Sequence, residues 1–563
     1  SIIVFLLLLI PVLFAKDIRD SSLKDLNGFF PFDPPSTLEE WEKRKEKLVL
    51  RIQVATGLYP MPTKSPLNAI IHGKINRPGF TVEKVYFESV PGFYVTGLLF
   101  RPENPKKEKL PAVLNPHGHG GRLQDYGEKG VLNQIVIGAE RFRESGRMPK
   151  IARCATLARM GCIAFLYDMI GYADNQQLSY ELAHRFAKRR PEFEKTGNWG
   201  LYSAQAEMRL LSIFGLQTWN SIRALDFLES LPDVDSKRIA VTGGSGGGTQ
   251  TILLGALDDR PIASFPNGMV SSSMQGGCTC ENASLLRIGT GNVEMTALFA
   301  PKPQGMTAAD DWTKEMLVKG KGFSELQNLY SLFGKSKNVI CPDLTHFKHN
   351  YNYVSRAIMY SWFNKHMKLS LPEPVVEEDF KLLSKEEHAV WNKKHPEPAG
   401  GDNYERDLMR QLAARDRQLV KNLWESGKSE NMLMAWQTIV GRSFDDSKQH
   451  NLQATQEMLI NKTTEEEIKW NLPSSIASSD KLIIHLGEIT EGKGSGLIRP
   501  VLFRQNQRGP TEKVANPREF AGYTHGYNHS RFARQIHDLL SVIAFLDSKQ
   551  EKTIEVHAGK GFE

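Results

Sequence analysis

The sequence predicts an α/β fold, a mostly parallel sheet flanked by helices, followed by a shortened and degenerate copy of the same arrangement. Three observations predict it. Strand-like apolar runs alternate with helical stretches between residues 80 and 370, a glycine-framed serine stands between one such strand and the next helix, and residues 473–563 echo the first domain in outline.

The chain opens on SIIVFLLLLIPVLFA, an apolar run that ends at Ala15 and gives way to KDIRD. The run is short for a bilayer span and reads as a signal-peptide remnant over residues 1–15, so a secreted or periplasmic location is expected, with no membrane association beyond a signal anchor. Residues 16–75 carry LEEWEKRKEKLVLRIQVATGL, an N-terminal helical segment without catalytic signal. The domain of residues 76–375 begins with EKVYFESV and FYVTGLLFRP joined across Pro91 and Gly92, a hairpin signal. PAVLNPHG, CIAFLYDM, KRIAVTGG, PIASFPNG, the segment before Asp310 and KNVICPDL follow as strands separated by helical stretches. Proline, glycine and acid replace periodic apolar residues over 371–401, so a boundary is expected there, with residues 376–472 as linker and helical region. In residues 473–563, DKLIIHLGEI and GLIRPVLFRQ echo the opening hairpin, and KTIEVHAGKGFE echoes KRIAVTGGSGGG with Lys560 opposite Ser245.

A chain of 563 residues with 40% hydrophobic content can bury a large core. Its net charge of +7 is small for this length, and no dense Lys/Arg cluster alternates with aromatics, which argues against a nucleic-acid partner. None of the five cysteines sits in a CxxC pair or a Cys/His spacing that binds zinc, so neither a metal nor another cofactor is expected. Cys154, Cys162 and Cys341 read as small buried hydrophobes. Cys278 and Cys280, in GGCTCENAS, are close enough to oxidise only into a strained bridge.

Chemistry is carried by Gly243-Gly244-Ser245-Gly246-Gly247, a G-x-S-x-G sequence between strand and helix. Such a nucleophile elbow needs small neighbours so that strand and helix can pass closely, and it is the hallmark of an α/β-hydrolase fold. Upstream, His117-Gly118-His119-Gly120-Gly121 ends a central strand, which assigns the backbone amides of His119 and Gly246 to an oxyanion hole. A serine nucleophile also needs a base, and the base an orienting acid. In the order Ser, acid, His, Asp311 and His349 are preferred; spacing leaves Asp310 and His346 open as alternatives. Asp168, at another strand end, reads as a loop organiser.

The hairpin and HGHGG loop, GLQTWNSIRALDFLESLPDVDSKRIAVTGGSGGGTQT, GGCTCENASLLRIGTGNVE, DDWTKE and HNYNYVSRAIMYSWFNKH together resemble the bacterial acetyl xylan esterase-like α/β-hydrolases over roughly residues 80–370. The resemblance implies Ser245, Asp311 and His349 as a triad and an acylated carbohydrate as substrate. Removal of acetyl or similar acyl groups through an acyl-enzyme is therefore expected. A serine peptidase of the prolyl oligopeptidase type shares the triad order, but no blade-like repeat precedes the hydrolase domain. A non-catalytic glycan-binding protein on the same fold is the third reading, against which the Ser, acid and His set argues. The second half departs from the family pattern.

Overall fold

The computed structural model describes residues 17–105, 108–473, 481–487, 496–505, 507, 512–548 and 553–559, so the expected signal remnant and Lys560 lie outside the described residues. The chain divides into two compact units, one of residues 24–435 and 514–528, the other of residues 1–23, 436–513 and 529–563.

The larger unit opens with α1 (Leu38–Ala55), started by a capping box in which Thr37 Oγ1 accepts from Glu40 N at 3.2 Å and Glu40 returns a carboxylate oxygen to Thr37 N at 3.1 Å. Three antiparallel strands follow, β1 (Ile70–Arg77), β2 (Phe80–Val90) and β3 (Phe93–Pro102). The β2–β3 turn is Pro91–Gly92, with Gly92 at φ +77° where a side chain would be strained. The chain continues through β4 (Leu110–Leu114), α2 (Pro149–Arg159), β5 (Ile163–Tyr167), α3 (Ile213–Ser230), β6 (Val234–Gly244), α4 (Gly246–Leu257), β7 (Pro261–Asn267), β8 (Gln304–Gly305), β9 (Val339–Ile340) and α5 (Tyr353–His366). The nine-stranded sheet has the order β1-β2-β3-β5-β4-β6-β7-β8-β9 and is parallel from β5 to β9. Each strand-like run named between residues 80 and 345 contributes a strand to this sheet. The architecture is that of an α/β-hydrolase.

Side-chain alternation builds two cores. Leu114, Phe165 and Val241 face one cluster with α3, while Val113, Leu166 and Ala240 face the other with α2 and α5. Both faces being covered, β4 and β5 are buried along their whole length, which explains why their sequences are continuously apolar rather than alternating. The central strands thus end in a layer closed on both sides.

The expected boundary near residues 371–401 does not separate compact units. Arg356 is buried against Glu377 at 2.6 and 2.8 Å and Glu140 at 2.8 and 2.9 Å, and Arg122 donates to the His388 carbonyl at 3.1 Å. Farther on, α6 (Asp402–Glu425) buries Glu405, which accepts from Arg190 at 2.6 Å and from Leu201 N at 2.8 Å. These charges need their partners in the larger unit, so residues 376–435 stay with it. Residues 514–528 return to it as well: Leu285 N donates to His525 O at 2.7 Å and Arg287 N to Gly526 O at 2.8 Å. Residues 17–23, by contrast, leave the N-terminal segment for the smaller unit, where the buried Arg19 meets Asp17 at 2.6 Å and Asp538 at 2.5 Å.

The smaller unit contains an antiparallel meander, β10 (Leu452–Ala454), β11 (Met458–Asn461) and β12 (Glu466–Lys469). It continues with β13 (Lys481–Leu486), β14 (Leu497–Ile498), α7 (Arg531–Asp547) and β15 (Thr553–Ala558). The expected hairpin of DKLIIHLGEI with GLIRPVLFRQ is not formed, because β13 and β14 pair in parallel. The order β14-β13-β15 reproduces β5-β4-β6, so β13 and β14 correspond in strand order to β4 and β5, two strands later than the opening hairpin, and the meander β10–β12 before them is a separate sheet. No helix among the described residues is long and apolar enough to cross a membrane.

One buried histidine sets a pH dependence. His388 is 6% exposed, neither ring nitrogen has a hydrogen-bond partner among the described residues, and burial together with the Arg122 cation holds it down to about 4. The unfolded chain takes up this proton near pH 6.5 and the folded chain only near 4, so stability is lost as pH falls through that window, by at most about 3 kcal/mol. His388→Leu is expected to flatten the fall of Tm between pH 6.5 and 4 relative to wild type. Parallel Tm profiles would remove the assignment.

Candidate active site

The elbow lies where β6 hands over to α4. Ser245 has φ +55° and ψ −127°, a conformation costly for a side-chain-bearing residue and held here by its surroundings. Its N–H donates to Asn267 O at 3.0 Å, and its carbonyl accepts from Thr249 N at 3.1 Å. The flanking glycines are sterically required at specific positions. A Cβ at Gly247 would lie 2.3 Å from the Pro116 carbonyl oxygen, one at Gly243 2.5 Å from the same atom, and one at Gly118 2.7 Å from Ser245 Cβ. Gly246 is different, its nearest neighbour being 3.5 Å away. The loop after β4 therefore rests directly on the elbow.

Asn267 at the end of β7 was not singled out from the sequence. Besides receiving the Ser245 amide, it accepts from Thr307 Oγ1 at 2.6 Å and donates Nδ2 to Asn350 O at 2.9 Å. It thus links the elbow, the strand that leads to Asp311 and the loop that carries His349. Its only signal in the sequence is its place before a glycine at a strand end.

Of the acid and histidine candidates, the structure joins Asp311 and His349, with Oδ2 and Nδ1 2.6 Å apart. The other Asp311 oxygen accepts from Thr313 N at 2.6 Å and Thr313 Oγ1 at 2.5 Å. Burial works to raise this carboxyl, but the hydrogen bonds from His349 and Thr313 outweigh it and hold it below the usual range. Asp310 instead pairs with Lys348 and, at 3.6 Å, Lys314, on the outside of the loop. His346 is exposed and lies tilted against Phe347, 4.0 Å between ring centroids. The His349 ring packs against Trp312 at 4.6 Å, and a Cβ at Gly268 would lie 2.7 Å from its Cε1 and 3.5 Å from Ser245 N. A bare glycine is what allows the imidazole to sit beside the serine.

Ser245 and His349 open into a cavity of about 180 Å³ that His117, His119, Lys150 and Arg153 also line. A larger cleft of about 1060 Å³ contains neither Ser245 nor His349, so the reacting geometry belongs to the smaller one. His117 accepts from Met169 N at 3.0 Å through Nε2 and donates Nδ1–H to Gly118 O at 3.0 Å. Burial and the neighbouring Lys150 and Arg122 cations keep it neutral, a pin for the loop rather than a base. The amides of His119 and Gly246 have no acceptor among the described residues, as expected for the first N–H of a helix and for a loop poised over it. Asp168, fully buried, accepts from Arg122 at 2.8 and 3.0 Å and from Thr96 at 2.7 Å, which anchors the neighbouring loop. Burial and the adjacent Arg153 push Lys150 down to about 7.

Folding also brings together His119, His184, Cys278 and Cys280, whose ligand atoms all lie within 4.8 Å of one another. Local spacing along the chain, with no Cys/His pattern suited to zinc, does not show this cluster. Three separate segments contribute, so no motif could reveal the cluster. All five cysteines are free and buried, and burial pushes the thiols of Cys154, Cys162 and Cys341 up to about 12.

Residues 217–268, which run from α3 through the elbow to β7, match the family described as acetyl xylan esterase (AXE1). The acetyl esterase Axe7A of Xylanibacter ruminicola is 44% identical over 55 residues, covering 10% of this chain and 12% of that one. YtaP of Bacillus subtilis is 29% identical over 177 residues, covering 31% and 46%. The chain therefore spans less than half the length of these curated relatives. Among solved structures, a methylesterase named BT1017 is similar over 68% of this chain and 78% of its own, at 26% identity and a TM-score of 0.49. A glucuronoyl esterase from Solibacter usitatus is similar over 62% and 98%, at 18% identity and a TM-score of 0.38.

The two inner elbow glycines should respond oppositely to one added carbon. Gly247→Ala is expected to destabilise by roughly 1–3 kcal/mol or more, since the contact is with backbone that cannot swing away. Gly246→Ala is expected to leave Tm close to wild type. Thermal unfolding of the two variants checks this, and equal Tm values would contradict the packing described.

Proposed function

Taking the chain as an acetyl xylan esterase-like α/β-hydrolase, we propose that it is a serine carboxylic ester hydrolase that removes acetyl or similar acyl groups from polysaccharides or oligosaccharides. The observation that carries this reading is a serine held at φ +55° in one cavity with a histidine whose far nitrogen is occupied by a buried aspartate. With Nδ1 engaged by Asp311, Nε2 of His349 is the nitrogen left to take the Ser245 proton. The alkoxide oxygen attacks the ester carbonyl, and the amides of His119 and Gly246, joined by the positive end of α4, receive the negative charge that develops on oxygen. His349 returns the proton to the departing sugar hydroxyl, and a water activated by the same ring then releases the acid and frees Ser245. Asp311 orients the ring and favours its cation through both half-reactions.

Lys150 and Arg153 favour a second reading of the substrate, an ester next to or on an acidic sugar. Arg153 is 2% exposed, donates Nε to Asn115 at 3.0 Å, lies 4.8 Å above the Tyr351 ring and keeps Nη2 without a partner among the described residues. An anionic group in the cavity would satisfy it. No nucleic acid is involved in either reading, and a secreted or periplasmic location suits a polymeric glycan. A panel of acetylated, feruloylated and methyl-uronate glycans, assayed for release of acid or alcohol beside a Ser245→Ala control, separates the readings.

Two outcomes test the assignment itself. Ser245→Ala is expected to abolish acid release while leaving Tm near wild type, because the elbow accepts small side chains; turnover close to wild type would end the proposal. Asp311→Asn is expected to lower kcat by roughly 10⁴-fold, the scale at which a triad histidine loses its tautomer. Asp310→Asn, on the exposed side of the loop, should change kcat only slightly. Steady-state kinetics on both variants decides between the adjacent acids.

A further inference from the structure

We infer that His119, His184, Cys278 and Cys280 form a structural zinc site that fastens the loop after β4 to the rest of the larger unit. Two imidazoles and two thiolates are a donor set that suits Zn²⁺. The cross-pairs have the spacing such an ion needs. With Zn–S near 2.3 Å and Zn–N near 2.0–2.1 Å at tetrahedral angles, a sulfur and a nitrogen on the same ion stand about 3.5–3.6 Å apart. The observed separations are 3.5 Å for Cys278 Sγ to His184 Nδ1 and 3.6 Å for Cys280 Sγ to His119 Nε2. With all four ligand atoms within 4.8 Å of one another, the remaining pairs need to close by no more than about 1.5 Å to reach the same polyhedron.

The surroundings are arranged as ligand supports. His184 donates Nε2–H to the Ile170 carbonyl at 2.7 Å, which fixes the ring and leaves the Nδ1 lone pair facing Cys278. Thr279 Oγ1 donates to Ala183 O at 2.6 Å, tying the cysteine loop to the short helix that carries His184. Within that loop Cys278 N donates to Glu281 at 3.0 Å, and Asn282 Nδ2 donates to Cys278 O at 2.8 Å and Gly276 O at 2.9 Å. Arg518, from the segment that returns to this unit, donates to Gly277 O. His184, Cys278 and Cys280 are 3–4% exposed, whereas His119 is exposed, so the ion can enter from the cavity side. Four protein donors leave no open position, which makes the role structural rather than Lewis-acidic. The site stands on its own geometry and does not require the proposed esterase reaction.

The test uses the full chain purified with a non-thiol reductant and loaded with zinc, both as wild type and as Ser245→Ala, so that the outcome is independent of ester hydrolysis. Both are expected to retain about one zinc per chain after dialysis, by mass spectrometry of the metal. Cys278→Ser with Cys280→Ser, and separately His184→Ala, are expected to lower occupancy by roughly tenfold or more while keeping the circular dichroism of the fold. Cobalt(II) in place of zinc should give the intense visible and thiolate charge-transfer bands of a tetrahedral sulfur-containing site; this reading needs no variant to fold. Wild-type protein that retains far less than one metal, cobalt bound without thiolate bands, or a Cys278–Cys280 disulfide that persists under reductant would each overturn the inference.

Discussion

The site depends on one steric constraint, the contact between the backbone at residues 116–118 and the elbow at residues 243–247. Any side chain at Gly243 or Gly247 would enter the Pro116 carbonyl oxygen, and one at Gly118 would meet Ser245 itself. The contact is imposed by sheet register, because β4 and β6 are parallel neighbours with Leu114 beside Val241, so the two strand ends and the loops beyond them emerge together. Next along the sheet, β7 delivers Asn267 to the serine amide, with its side chain reaching the segments after β8 and β9. Parallel strands bring their carboxyl ends to one edge, and at that edge glycine lets the chains touch.

Around this edge the larger unit is fastened by buried charge rather than by apolar area alone. Arg356 holds two glutamates, Arg122 holds Asp168 and Asp174, and Arg190 holds Glu405. Each arrangement couples segments far apart in sequence, and Arg356 and Arg122 are met by more than one carboxylate. Buried pairs contribute little net stability when intact, yet losing one partner costs about 3–5 kcal/mol. Their effect is to specify which loop lies where. Residues 376–400, which contain little periodic apolar pattern, are held to the larger unit in this way.

Local chemistry was legible in the sequence and long-range chemistry was not. The strands of the central sheet, the hairpin across Pro91 and Gly92, and the strand–serine–helix order all follow from patterns within a few residues. The choice between Asp310 and Asp311 cannot be read that way, since adjacent side chains on extended backbone point to opposite sides and only the tertiary partners, Lys348 for one and His349 for the other, distinguish them. The return of residues 514–528 to the larger unit is written in hydrogen bonds to residues near 285, and the His/Cys cluster in contacts spanning residues 119 to 280. Neither leaves a local trace. The boundary expected at residues 371–401 failed for the same reason, because a proline-rich stretch looks like a linker until its buried Glu377 finds Arg356.

The smaller unit shows what the strand order alone provides. Its β14-β13-β15 order repeats β5-β4-β6, yet β4 is buried at every position, whereas β15 has no fully buried residue and β13 alternates. One core, built from β11–β14 and α7, serves this sheet. In the larger unit the helix that follows the elbow, α4, is buried against β6 and β7, and a second layer with α2 and α5 closes the opposite face. The strained serine is held because neighbouring strands and both layers restrict the turn, and a half-covered sheet cannot restrict a turn in that way. Among the described residues, the smaller unit shares this strand order with a single packed core in place of the two that enclose the elbow.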